Sequence, residues 1–239
     1  MKKQLEAQPL PIGALFRFGW QLYNEHFSDI LWVILWVYLP INLATALLPD
    51  GWPLLGGAGA TGAQLSANLA LLLEIFWGII AAVGVAAIVE QAVLGERMAW
   101  PIALRYGLAK WPAALVVELL GALIILGLTF LLIIPGIIWA FYYAFSLYAV
   151  ALRNVSGRSA LAYSKGLVQG QWWRVCGILL LTSLTGQIVL LVITALLTLI
   201  ADNPVAEFII NSTADVIASF FTVVTVLFFL NTDYVKQKE

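Results

Sequence analysis

Residues 131–174 read LLIIPGIIWAFYYAFSLYAVALRNVSGRSALAYSKGLVQGQWWR, and this stretch decides the fold. An uncharged apolar run is interrupted only by Pro135-Gly136. A short segment holding Arg153, Arg158, Lys165 and Arg174 follows. Proline removes a backbone donor and breaks a helix interior. Apolar run, break, apolar run and basic amphipathic stretch together describe a helical hairpin in a lipid bilayer that returns to a basic face.

Composition extends this reading to the whole chain. Of 239 residues, 62% are hydrophobic and 10% charged, with mean hydropathy +0.97. A soluble domain carries about 25% charge, so a water-facing surface cannot be built from this supply. The expected class is an all-α polytopic membrane bundle, a single integral membrane domain over residues 1–239. Cys176 is the only cysteine, which excludes an intrachain disulfide or a cysteine-based metal site. No cofactor is expected, and nothing in the charge pattern points to nucleic acid. The opening MKKQLEAQPLPIGALF does not read as a secretory signal, because no short apolar core with a small-residue cleavage site is present.

Crossing a hydrocarbon core of about 30 Å takes about 20 helical residues. Six stretches qualify, at about 29–48, 69–93, 112–134, 136–152, 175–200 and 208–230. All twelve Lys and Arg residues fall outside these spans, in the N-terminal arm, the 94–111 loop, the 153–174 loop and the tail. The opposite loops, including 49–68 with its PDGWPLLGGAGATGAQ, hold none. By the positive-inside rule, both termini are expected in the cytoplasm.

Three basic-side segments resemble one another: ALFRFG at 14–19, IALRYG at 102–107 and LAYSKG at 161–166. The stretches 11–27, 100–110 and 159–170 therefore read as interfacial amphipathic helices, apolar face in the headgroups and basic face in water. On this reading the chain is three units, each an interfacial helix followed by a transmembrane hairpin. Arg17, Arg105, Arg153, Arg158, Lys165 and Arg174 become candidate contacts for anionic lipid. Trp20, Trp100, Trp111, Trp172 and Trp173 fit an aromatic belt on the basic side, with Trp52 and Trp139 assigned to the other boundary.

Charged groups inside hydrocarbon are functional-site candidates by default. Glu74 and Asp215 have no basic residue on their side, so they must be protonated, hydrated, bound to a cation, or hydrogen-bonded to groups such as Asn42, Asn211 or Ser212. Glu118 and Glu90 have nearby bases in Arg97, Arg105, Lys110 and Arg174. Ser183, Gln187, Thr194 and Thr198 form a polar seam, expected to hydrogen-bond between helices. His26 reads as packing. Gly136, Ala140 and Ala144, spaced by four, are expected to give a close helix contact.

The stretch IIPGIIWAFYYAFSLYAVAL followed by SGRSALAYSKGLVQGQWWR resembles the glycerophosphoryl diester phosphodiesterase membrane-domain family and the related YciC-type bacterial inner-membrane proteins. The residues that carry the resemblance are Pro135, Gly136, Ala160, Leu161, Ser164, Lys165, Gly166, Trp172, Trp173 and Arg174. Relatives often carry a Pro ahead of the basic loop, where Ala151-Leu152-Arg153 stands here. The resemblance implies a six-helix architecture in the bacterial inner membrane, with Pro135, Gly136, Ser164 and Gly166 as structural positions. It implies no activity, because the named enzyme adds a separate soluble catalytic domain that these residues do not contain.

No zinc-protease, phosphate-loop or nucleophile-elbow motif appears. The function expected is therefore a non-enzymatic membrane protein acting as scaffold, regulator or envelope-maintenance partner. Its expected contacts are membrane lipids, and a protein partner or a second copy. The alternative is a small transporter or channel using Glu74 and Asp215.

Overall fold

The computed structural model describes residues 1–47, 60–199 and 203–238, and every regular element among them is helical. In chain order these are α1 (Lys2–Leu5), α2 (Ile12–Glu25), α3 (Phe27–Leu47), α4 (Ala60–Leu94), α5 (Trp100–Leu131), α6 (Ile133–Tyr143), α7 (Ser146–Arg153), α8 (Gly157–Val168), α9 (Trp172–Thr198) and α10 (Pro204–Lys236). Six candidate spans are long and apolar enough to cross a membrane: five lie in α3, α4, α5, α9 and α10, and α6 with α7 makes the sixth. The Gly-Pro loop expected between spans 1 and 2 and its Trp52 lie largely outside the described residues.

The bundle is organised on α10, which packs against α3, α9, α2 and α4. Val226, Leu227, Phe228, Phe229 and Leu230 are all inaccessible. A helix apolar on every side belongs inside. The C-terminal half of α4 is buried in the same way, from Ile79 to Val89. α4 and α5 approach so closely that a Cβ on Gly107 would sit 2.5 Å from the Ile80 carbonyl oxygen. Small residues permit such backbone contact between membrane helices.

Helices stand at 12–25 and 157–168, against the expected 11–27 and 159–170, and much of each apolar face meets protein. Leu15, Gly19, Leu22 and Tyr23 of α2 are buried. Gly19 lies against Val224, and Phe16 and Tyr23 pack on Phe220. In α8, Ala160, Leu161, Ser164, Leu167 and Val168 are buried. An amphipathic stripe buries itself on any available apolar surface, and here the chain supplies its own. The third stretch, 100–110, is not a separate helix at all: it runs unbroken into the following span as α5. Gly170, with φ +90, makes the turn between α8 and α9. Leu108 to Trp111 contain no comparable breaker, and Pro112 is accommodated inside the helix.

The hairpin turn expected at Pro135-Gly136 lies instead at one extended residue, Leu132 (φ −155, ψ 125), and both expected turn residues are helical. Pro135 then falls in the first turn of α6, where its missing N–H costs nothing. Gly136 is required by contact, since a Cβ there would lie 2.9 Å from the Thr129 Cα. The returning arm of this hairpin is not one rod. It breaks between Tyr143 and Ser146, and α8 mends the break. The Ser164 hydroxyl donates to the Tyr142 carbonyl at 2.8 Å and accepts the Phe145 N–H at 3.1 Å. Ser164 is fully buried, so no water replaces it. Ser164→Ala is expected to destabilise the bundle by about 1–3 kcal/mol, the cost of orphaning buried backbone groups. Denaturant titration followed by circular dichroism in micelles measures this, and a variant as stable as the parent would remove the stitching role.

Candidate functional site: the polar groups of the bundle

The buried charges converge on Arg153. This last residue of α7 donates Nη1 to Glu90 of α4 at 2.6 Å and Nε to Asp233 of α10 at 2.6 Å. Its guanidinium also lies over the Phe229 ring. Asp233 is inaccessible and takes further bonds from the Tyr163 hydroxyl of α8 and from Gln237. Burial first, and then the Asp233 carboxylate, push the Tyr163 phenol above its ordinary value. Arg153 was expected to face lipid, and Glu90 to pair with Arg97, Arg105, Lys110 or Arg174. Both expectations are corrected. α7 ends against α4 and α10, and the shortest path for its terminal charge leads inward to two carboxylates.

Arg174 is likewise turned inward. It donates to Asn231 Oδ1 at 3.0 Å, to the Leu10 carbonyl at 3.2 Å and to Gln171. Asn231, also inaccessible, donates to the carbonyls of Leu5 and Gln8 and accepts the Leu10 N–H. One amide thus holds the segment between α1 and α2. Glu6 then bridges Lys2 and Lys238, so the two chain termini meet. Asp29, also buried, accepts from Trp100 N–H at 3.3 Å at the start of α5 and pairs with Arg97 at 3.0 Å.

Of the remaining basic candidates, Arg17, Arg105 and Arg158 are exposed, and none makes an ion pair among the described residues. Lys165 is half-buried and places its ammonium 4.4 Å from the centre of the Trp139 ring. That contact brings Trp139 beside α8 and away from the opposite boundary to which it was assigned. Gly166 has ordinary helical surroundings with open space at its Cα; its carbonyl accepts from Lys236.

Three acids remain. Asp215 accepts from Asn42 Nδ2 at 2.7 Å, and Asn42 also donates to Ser212 at 3.4 Å. Asp215 heads a small cavity of about 60 Å³ between α3, α4 and α10, lined further by Tyr38, Gly78, Ser219 and Thr222. Glu74 stands in electrostatic reach of Asp215 and the Tyr38 hydroxyl but does not line that cavity. The helix runs without interruption from Pro204, so Asp215 lies about 16 Å along α10 from its start. Glu118 meets no base. It accepts from the Ser146 hydroxyl at 3.3 Å and faces a larger cavity of about 280 Å³. The α9 seam does not bridge helices through the bonds observed: Thr194 and Thr198 donate to carbonyls of their own helix. Ser183 and Gln187 line a further cavity of about 230 Å³.

Sequence reasoning missed Asn231 and Asp233 because it ended span 6 at 230, and it passed over Asp29 at the first position of span 1. A signal was present: Asn231-Thr232-Asp233 interrupts a long apolar run just where Arg153 and Arg174 need acceptors. Removing one partner of a buried ion pair costs about 3–5 kcal/mol. Arg153→Met is therefore expected to lose about that much stability, whereas Arg158→Ala changes it by under about 0.5 kcal/mol. Paired denaturant titrations read both, and equal effects would contradict this assignment.

No curated protein and no solved structure matches the chain. Residues 55–235 match the family described as a domain of unknown function, DUF7847. The match covers the last five of the six candidate spans, the Arg153 cluster, Glu74, Glu118 and Asp215. The chain is a multi-span membrane protein belonging to the DUF7847 family.

Proposed function

We propose that this protein is a non-enzymatic membrane component that works by association, with a basic face held against anionic lipid headgroups. The observation that carries this reading is how the arginines divide. Arg153, Arg174 and Arg97 serve internal bonds, while Arg17, Arg105 and Arg158 stand exposed on three different helices. Exposed Trp20 (59%) and Trp173 (81%) supply interfacial anchors of the kind found at membrane boundaries. Positive-inside orientation then puts both termini in the cytoplasm. The resemblance to phosphodiesterase membrane domains and YciC-type proteins favours a bacterial inner membrane.

A basic side chain near an anionic surface contributes about 1 kcal/mol. Replacing Arg17, Arg105 and Arg158 together by Gln is expected to lower retention of phosphatidylglycerol over phosphatidylcholine by at least fivefold, read by native mass spectrometry of protein from mixed-lipid nanodiscs. Undiminished retention in the triple variant removes the basis of the proposal.

A second reading, proton or cation coupling, draws on Asp215 bonded to Asn42 in its cavity with Glu74 nearby. In vesicles carrying a pH gradient it predicts protein-dependent proton flux that Asp215→Asn abolishes. No flux from the parent protein eliminates it.

A further inference from the structure

The 280 Å³ cavity at Glu118 is built by small residues. Gly121 on α5 and Ala140 and Ala144 on the returning arm line it, with Tyr143 and Tyr148 as aromatic walls. Gly136, the first of the stripe Gly136, Ala140 and Ala144, is in tight contact with Thr129, while the two alanines border the cavity. Beyond that point the two arms part, and the space the alanines leave remains open. Into this space faces a carboxylate whose only observed bond is to one neutral hydroxyl, Ser146. Among the described residues no Lys or Arg makes an ion pair with it. Glu118 lies eight residues beyond Lys110 on α5, about 12 Å along the helix axis.

The surroundings specify where an occupant would come from. Leu119, Leu123 and Leu126 on α5 and Ile137 on α6 are exposed, so the two helices that line the cavity also carry lipid-facing apolar surface. The neighbouring 230 Å³ cavity between α9 and α10 shares Tyr148 with it. A carboxyl group with no basic partner among the described residues, aromatic faces that attract cations and an approach through hydrocarbon are complementary to a single chemistry. We propose that the Glu118 cavity binds a lipophilic monocation, an ammonium or phosphonium centre carried on an apolar body, entering sideways from the bilayer. This site is separate from the basic face and stands or falls without it.

The probe is radiolabelled tetraphenylphosphonium, measured by equilibrium dialysis against protein in zwitterionic nanodiscs with empty nanodiscs subtracted. Uncharged triphenylphosphine oxide serves as comparator. The parent is expected to take up the cation saturably, about one per chain, and to prefer it to the neutral compound. Glu118→Gln, which keeps the shape and an acceptor for Ser146, is expected to weaken cation binding at least tenfold. Ala144→Leu, which fills the cavity and spares the carboxylate, is expected to abolish it, while Glu74→Gln leaves it unchanged. Thermal unfolding of each variant verifies that it is folded. Absence of saturable uptake, equal binding of the neutral compound, or undiminished binding in Glu118→Gln each overturns the proposal. So does a dimer by mass photometry in which no cation binds, since a second copy then fills the space.

Discussion

Everything at the centre of this bundle depends on a guanidinium held between two carboxylates. Arg153 ends α7, Glu90 lies near the end of α4, and Asp233 sits near the end of α10. One side chain therefore fixes the mutual placement of three segments that are remote in sequence. Burying an ion pair seldom adds much net stability, because desolvation consumes most of the attraction. Its effect is to make alternatives costly. A register slip of α10 by one residue would strand Asp233 in hydrocarbon without a cation. The apolar neighbours, Phe228 to Leu230, cannot impose that choice, since one greasy residue packs much like another. The Tyr163 hydroxyl on the same carboxylate brings α8 under the same constraint.

Around this cluster the packing is uneven. α4, α7, α8 and α10 bury their faces on one another. α5 beyond Glu118 and α9 beyond its first turns present broad apolar surface, with Phe130 at 92% exposure. In water such a surface would collapse, whereas in hydrocarbon it is at no disadvantage. Lipid contact therefore allows neighbouring helices to stand apart and leave polar-lined cavities between them. The same argument explains why the small residues Ala140 and Ala144 border space when Gly136 is in tight contact: no solvent pressure forces the arms together.

The span count, the presence of a hairpin near Pro135 and two of the three amphipathic helices were legible in the sequence, because each rests on a local pattern of length, hydropathy or a breaking residue. That the turn falls at Leu132 was not, because nothing in that residue type marks it. Ser164 was legible as a polar group on an apolar face, though its task was not, because the break at Phe145 has no proline or glycine to announce it. What the sequence hid was partnership. Arg153 and Arg174 look like Arg158 and Arg17, and only the fold distinguishes inward from outward. For the same reason an amphipathic stripe reads identically whether it will lie on lipid or on the chain's own helices. The candidate acids were found as residues, but their separation into a hydrogen-bonded Asp215, an adjacent Glu74 and a cavity-facing Glu118 required helix crossings that no periodicity records.

Asn231 binds the backbone at Leu5, Gln8 and Leu10, partners more than 220 residues earlier in the chain. A ribosome delivers those two regions more than 220 residues apart. The N-terminal arm is made long before α10, and its carbonyls and the Leu10 N–H wait through the insertion of five spans before the Asn231 donor and acceptor arrive. Closure of the bundle is thus deferred to the last helix. Until α10 enters, the arm, α2 and the Arg174 end of α9 have no shared anchor, and a chain that stops short of residue 231 is left with its beginning untied.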